Sequence, residues 1–324
     1  MKIAITGTNG HVGNNLCRKL LEKGYAVRGL VYHDDISIKD LDIETVKGDV
    51  LDPASLDRLF EGIGVVIHLA AIISIDDHQS ELFKVNVEGT RNVVNACKKA
   101  GVRKLIHFST IHAIEHKPLE EVLDENRSII THSKIKYEQS KADGDRAVHE
   151  LCGNELEFII INPTAILGPN DFKPSLMGQA LIKLAKNQIP MLVPGGYDWV
   201  DVRDICDAVI NAISLNKSGE RYLVSGAWRS LKDLSMVVAE VTGRKTPQTM
   251  VPMALAKIGL PFIYAWSKIR KEQPLYTRDS LDVLSMSNKH VSHAKAEKDL
   301  DFRPRPLLDT VRDSCRWYEK NGYL

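Results

Sequence analysis

The sequence predicts an α/β fold: a doubly wound parallel sheet with crossover helices, joined to a smaller, mostly helical C-terminal region. Three observations carry this expectation. A strand-like run, a glycine-spaced turn and an amphipathic helix open the chain. β-rich and helical runs then alternate. Several β-rich runs are apolar without strict alternation, which is how strands covered on both faces read.

The opening strand is KIAIT, residues 2–6, and TGTNGHVG follows, with Gly7, Gly10 and Gly13 recurring every three residues. Glycines in that place let the strand turn tightly and let the backbone approach a pyrophosphate. They also let the helix pack close, with the anion resting on its N-terminal N–H groups. The helical pattern HVGNNLCRKLLEKG stops at Gly24, and ELFKVNVEGTRNVVNACKKAG stops at Gly101, both suited to C-caps. Between and after them AVRGLV (26–31), GVVIHLA (64–70), KLIHFS (104–109) and EFIIIN (157–162) supply further strands. Beyond NPTAILGPND (162–171), helical pieces are punctuated by Pro174, Pro190, Pro194 and Pro252. The expected division is a Rossmann-type dinucleotide-binding domain from 1–165 plus about 200–225, and a substrate-binding domain from about 166–199 and 226–324.

Composition excludes other classes. With 324 residues, 44% apolar, 26% charged and a formal net charge of +1, the chain can bury a large core but gathers no basic surface for nucleic acid. Cys17, Cys97, Cys152, Cys206 and Cys315 are odd in number, scattered and without Cys/His ligand spacing. That argues against a disulfide framework and a zinc site, so no metal is expected, and it favours a reducing cytoplasm. MKIAITG is too short for a signal peptide, and VPMALAKIGLPFIYAW (251–266) is broken by Lys257 and Pro261. Membrane contact is therefore disfavoured. The same segment carries Met253, Leu255, Leu260, Phe262, Ile263, Tyr264 and Trp266, which suit either packing on its own domain or an apolar substrate wall.

YEQSK, residues 137–141, places Tyr137 and Lys141 four apart, on one helical face. A free phenol titrates near ~10 and is a poor base at neutral pH. A positive charge about 4 Å away contributes roughly 4 kcal/mol at an effective dielectric of about 20, enough to bring it near 7.

The GxxGxxG spacing resembles that of the extended short-chain dehydrogenases/reductases, the NAD-dependent epimerase/dehydratase family, and further segments extend the likeness to about Asp207. GDVLD (48–52), with Asp49 and Val50, resembles the family's adenine-contacting segment. HLAA (68–71), with Leu69, Ala70 and Ala71, resembles its fourth-strand cofactor loop, and NVEGTRNV (86–93), with Asn86, the helix after it. FSTIHAI (108–114) resembles the catalytic serine/threonine strand and YEQSK the YxxxK pair. NPTAILGP, with Pro163, and WVDVRD (199–204) match other characteristic segments. The nearest branches in pattern are dihydroflavonol 4-reductase-like and hopanoid-associated epimerase-like.

The resemblance implies roles. Tyr137 is the general acid or base, Lys141 contacts the nicotinamide ribose, and Thr110 steadies the substrate oxygen. Ser109 alternates to the opposite face of its strand. Gly7, Asn9, Gly10, His11, Val12 and Gly13 would cradle the dinucleotide. His112, Asn170 and Arg203 are expected to line the substrate site, and His68 and His107 to lie in the core. At the end of the second strand, where an acid selects NAD and an arginine NADP, stands Tyr32, followed by His33, Asp34 and Asp35. The cofactor is thus NAD or NADP, with the form undecided. The implied activity is an oxidoreductase acting on a small-molecule carbonyl or alcohol. A nucleotide-sugar epimerase with the same groups is the alternative, ahead of a non-catalytic dinucleotide-binding regulator. A homodimer is compatible with the resemblance.

Overall fold

Short buried strands set the frame. The computed structural model describes residues 1–73, 79–270, 277–285 and 287–324. In chain order the strands are β1 (Lys2–Thr6), β2 (Ala26–Val31), β3 (Glu44–Lys47), β4 (Val65–His68), β5 (Lys104–Phe108) and β6 (Glu157–Pro163). They continue with β7 (Ala165–Leu167), β8 (Gly196–Asp201), β9 (Glu220–Val224) and β10 (Ala227–Ser230). Seven of them form one sheet in the order β3-β2-β1-β4-β5-β6-β9, with every neighbouring pair parallel. The order reverses between β1 and β4, where Thr6 is in register with His68. In doubly wound sheets this switch point opens a crevice at the carboxyl ends of the strands.

The sheet is covered on both sides, which explains the unbroken apolar runs. Ile3, Ile5, Ile67, Ile106 and Ile161 pack on one face with Leu16 and Leu20 of the helix His11–Glu22 and Ile205 and Val209 of Val202–Ser214. Ala4, Val66, Leu105 and Ile160 pack on the other with Leu56 and Leu59, Val93 and Val94, and Val148. Those residues belong to the helices Pro53–Phe60, Thr90–Ala100 and Lys136–Cys152. Each such side chain buried contributes roughly 1.5–3 kcal/mol.

The smaller C-terminal region is helical but also holds a sheet, β10-β8-β7. Its strands are only four, six and three residues long, too short for a periodicity to show in sequence. Leu181, Leu184, Trp199, Leu234 and Tyr318 form its core. The helix Met253–Arg270 carries Pro261 inside it and packs Leu260 against Leu281 and Leu284. Its Leu255, Ile258 and Phe262 are exposed. The side chains of Ile263, Tyr264 and Trp266 lie outside the described part of the structure. All five thiols are free and buried. Among the described residues, no helix is long and apolar enough to cross a membrane.

Candidate active site

The glycine turn is built by contacts that exclude side chains. Gly7 has φ +73, and a Cβ there would lie 2.7 Å from the Ala70 nitrogen. A Cβ on Gly13 would lie 2.1 Å from the Gly7 carbonyl oxygen. Gly10 caps the helix His11–Glu22 without any side-chain hydrogen bond, so the first-turn N–H groups stay free for an anion. This turn borders a cavity of about 810 Å³. Leu69, Ala71, Thr110, Tyr137, Lys141 and Pro163 line the same cavity, so the sheet brings most of the expected site residues together.

Tyr137 and Lys141 sit in the first turns of the helix Lys136–Cys152. The Lys141 ammonium is buried and donates to the Phe108 carbonyl at 2.8 Å. Burial pushes it down to about 8, against the opposing pull of Asp145 one turn further on. Burial also pushes the Tyr137 phenol up to about 12, partly offset by a hydrogen bond with Thr110 and reinforced by Asp145 and Glu138. The ammonium is engaged by a carbonyl, and desolvation outweighs every local charge.

Thr110 is held from behind by Asn162, whose Nδ2 donates to the Thr110 carbonyl at 2.8 Å. Its hydroxyl accepts from the His112 amide at 3.3 Å. Ser109, just past the end of β5, borders the same cavity and lies near Asp145. Asp145 is fully buried, with His107 Nε2 at 3.3 Å and Arg221 at 4.0 Å. Burial opposes its ionisation, but His107, Ser109 and Lys141 together hold its carboxyl below the usual range. His68 is a core residue, as expected, bridging Thr6 Oγ1 at 2.7 Å and Thr90 Oγ1 at 3.1 Å.

Other expected residues brace the site without lining the cavity. Asn86 clasps Ile72 through both its amide and carbonyl, at 2.8 and 3.0 Å, and donates to Ser140 at 3.0 Å. It thereby ties the loop after β4 to the Tyr137 helix. Asn9 donates to the Asp34 carbonyl at 2.7 Å, and Ala70 donates to Thr6 Oγ1 at 3.2 Å. Asp49 accepts from the Leu51 amide at 3.0 Å, while the Val50 carbonyl accepts from Asn92 at 3.1 Å. Asn170, at φ 61, donates to Asn15 at 2.9 Å. Tyr32 is exposed, and Asp34 is paired with Lys173. Arg203 is bound by Asp201 and Asp313, each at 2.7 Å, and does not reach the cavity. None of the described side chains of 251–262 lines it either, so the apolar wall comes from elsewhere: Leu82, Phe108, Ile111, Ile166, Met177 and Val291.

Among the cavity residues that escaped the sequence reading are His116, Glu138 and Asp198. Asp198 accepts from Thr164 and from the Gly226 amide, both at 2.7 Å, and burial raises its carboxyl above the usual range. An acid inside the aromatic run GYDWVD was its signal.

Residues 3–225 match the model described as the NAD dependent epimerase/dehydratase family. The chain belongs to that family. It is 30% identical over 331 aligned residues to sterol demethylase protein B of Methylococcus capsulatus, covering 100% of both chains. It is 29% identical to a putative dihydroflavonol 4-reductase of Synechocystis sp., covering 99% of this chain and 95% of that one. The solved structure of gox2253 superposes with a TM-score of 0.86 at 30% identity over 99% of each chain. Membership in the epimerase/dehydratase family agrees with the resemblance read from GxxGxxG and YEQSK, and makes the chain an NAD(P)-dependent enzyme type.

Proposed function

We propose that this family member transfers a hydride between a nicotinamide and a bulky, largely apolar carbonyl or alcohol substrate. The observation that carries the reading is one cavity shared by the glycine turn, the Thr110–Tyr137–Lys141 group and an apolar wall. No arginine is among the described residues lining it, which disfavours a diphosphate-bearing substrate. The relative from Methylococcus capsulatus bears a name that refers to a sterol, and apolar side chains such as Leu82, Ile166 and Met177 in the cavity wall suit a bulky ring system.

The turn fits a dinucleotide, since a Cβ at Gly7 or Gly13 would collide with backbone and the open helix N-terminus offers N–H donors. Gly7 to Gly13 would hold its pyrophosphate, Leu69 and Ala71 would border it, and Lys141 would meet the nicotinamide ribose. When bound, the dinucleotide supplies or accepts the hydride. Tyr137 holds a proton at its phenol oxygen and passes it to the substrate oxygen, while Thr110 Oγ1 orients that oxygen. With its phenol raised by burial, Tyr137 carries the proton it would pass to the substrate oxygen. At the end of β2 Tyr32 stands where an acid or an arginine would meet the ribose, and Asp34 beyond it is paired with Lys173. A preference between NAD and NADP below about 100-fold, roughly 2.7 kcal/mol, is expected on titrating both.

Tyr137→Phe tests the assignment. It should lower turnover by about 10²–10⁴ while leaving dinucleotide affinity within a few-fold, because only the transferable proton is lost. Retained turnover would remove Tyr137 from the role.

A further inference from the structure

Beside the candidate proton donor lies a cluster that hydride transfer does not use. His112 ends up two residues beyond Thr110 on a short 3₁₀ turn, His116 follows it, and Glu138 succeeds Tyr137 on its helix. His112 Nδ1 stands 3.5 Å from Glu138 Oε1, and His116 Nε2 stands 3.4 Å from the same oxygen. All three residues line the cavity. The three ligand atoms lie within 4.8 Å of one another, the one such group among the described residues.

The details favour a cation over a plain polar network. His112 Nδ1 is buried yet makes no hydrogen bond. Glu138 is almost fully buried. Ser133 Oγ donates to Glu138 Oε2 at 2.7 Å, which fixes the carboxylate and leaves Oε1 to the imidazoles. The His116 carbonyl is anchored by Arg127 and Asn288, each at 2.9 Å. A tetrahedral ion with bonds of about 2.0–2.1 Å spaces its ligand atoms roughly 3.3–3.4 Å apart, close to the two separations seen here.

We propose that His112, His116 and Glu138 form a three-ligand site for a divalent transition-metal ion of the zinc class in the wall of the substrate cavity. Two imidazoles and a carboxylate suit such an ion and not magnesium or calcium, which take oxygen ligands. Three protein ligands leave a position open toward the cavity. That position accepts an oxygen of the substrate, so compounds carrying a second oxygen function beside the reacting carbonyl are the class selected. The expectation of no metal rested on cysteine spacing, and these ligands come from two separate segments.

The test uses the full chain stripped with a chelator and titrated with Co²⁺, reading visible d–d absorption and the heat of binding. Saturation at one equivalent, with bands of a four- or five-coordinate ion displaced by Zn²⁺, is expected. His116→Ala and Glu138→Gln should each weaken Co²⁺ binding by about 100-fold or more, and Ser133→Ala by about 10-fold, given what outer contacts contribute. Absence of saturable binding to the unmodified protein would overturn the site. So would unchanged affinity in Ser133→Ala together with whichever ligand variant folds. The readout is independent of turnover, so its failure leaves the hydride-transfer reading standing.

Discussion

Tyr137 and Lys141 illustrate how burial competes with pairing. Their spacing was readable because residues four apart share a helical face. Their protonation was not, because it depends on Phe108, Asp145 and the depth of the cavity, which come from other segments. Asn162, which holds Thr110, and His107, which meets Asp145, act through long-range contacts of the same kind. Lys141, held at about 8 by burial, carries its charge below that pH and loses it above. A dinucleotide that needs the ammonium raises its pKa on binding, so binding takes up a proton above pH 8. Dinucleotide affinity should therefore be flat near neutrality and fall by up to about tenfold per pH unit above 8. Fluorescence titration from pH 6.5 to 9.5 would show it, with the dependence lost in Lys141→Met. Asp145→Asn should move the break to lower pH, because its carboxylate supports the ammonium. A break that stays put in that variant would mean Asp145 is merely structural.

Among the elements, the strand, turn and helix from Lys2 to Glu22 were the most legible, since strand, glycines and helix follow one another within a single local segment. The same locality makes the turn intolerant. Gly13→Ala puts a methyl 2.1 Å from the Gly7 carbonyl, so backbone must move, whereas at Gly10 the nearest atom is 3.3 Å away. Gly13→Ala should cost about 1–3 kcal/mol or more and abolish dinucleotide binding, while Gly10→Ala costs clearly less. Thermal melts with and without NAD or NADP would rank the two, and equal losses would place the close approach elsewhere. The element least legible was the 251–270 segment. Its apolar residues suggested a pocket wall, but helical periodicity alone does not say which face meets a partner. Leu260 packs on Leu281 while Phe262 is 78% exposed. Phe262→Ser should then shift stability by no more than about 0.5 kcal/mol and leave substrate KM unchanged.

At the scale of the whole molecule, the parallel order β3-β2-β1-β4-β5-β6-β9 fixes where the dinucleotide lies, but it is shared by reductases and epimerases alike. What separates them is the second half of the cavity. A nucleotide sugar presents a diphosphate and many hydroxyls, and no arginine among the described residues lines the cavity to meet them. Arg203 is locked between Asp201 and Asp313, and Arg229 donates to the Trp228 carbonyl and does not line the cavity. Besides Lys141 and the proposed metal ion, the lysines Lys134, Lys136 and Lys173 line it, and Lys173 is already paired with Asp34. Apolar lining side chains such as Leu82, Phe108, Ile166 and Met177 instead suit a carbonyl compound. The protein should oxidise reduced nicotinamide, followed by its near-ultraviolet absorbance, with some members of a panel of bulky aliphatic and ring-bearing ketones, and should not interconvert UDP-sugars. Tightly retained dinucleotide, no net oxidation with any carbonyl and epimerisation at one sugar carbon would decide for the epimerase instead. Charge-reversing Lys134 and Lys136 to glutamate then discriminates further: it should abolish epimerisation of a diphosphate-bearing sugar but leave reduction of an uncharged ketone within about threefold, since an uncharged substrate has no Coulomb term to lose.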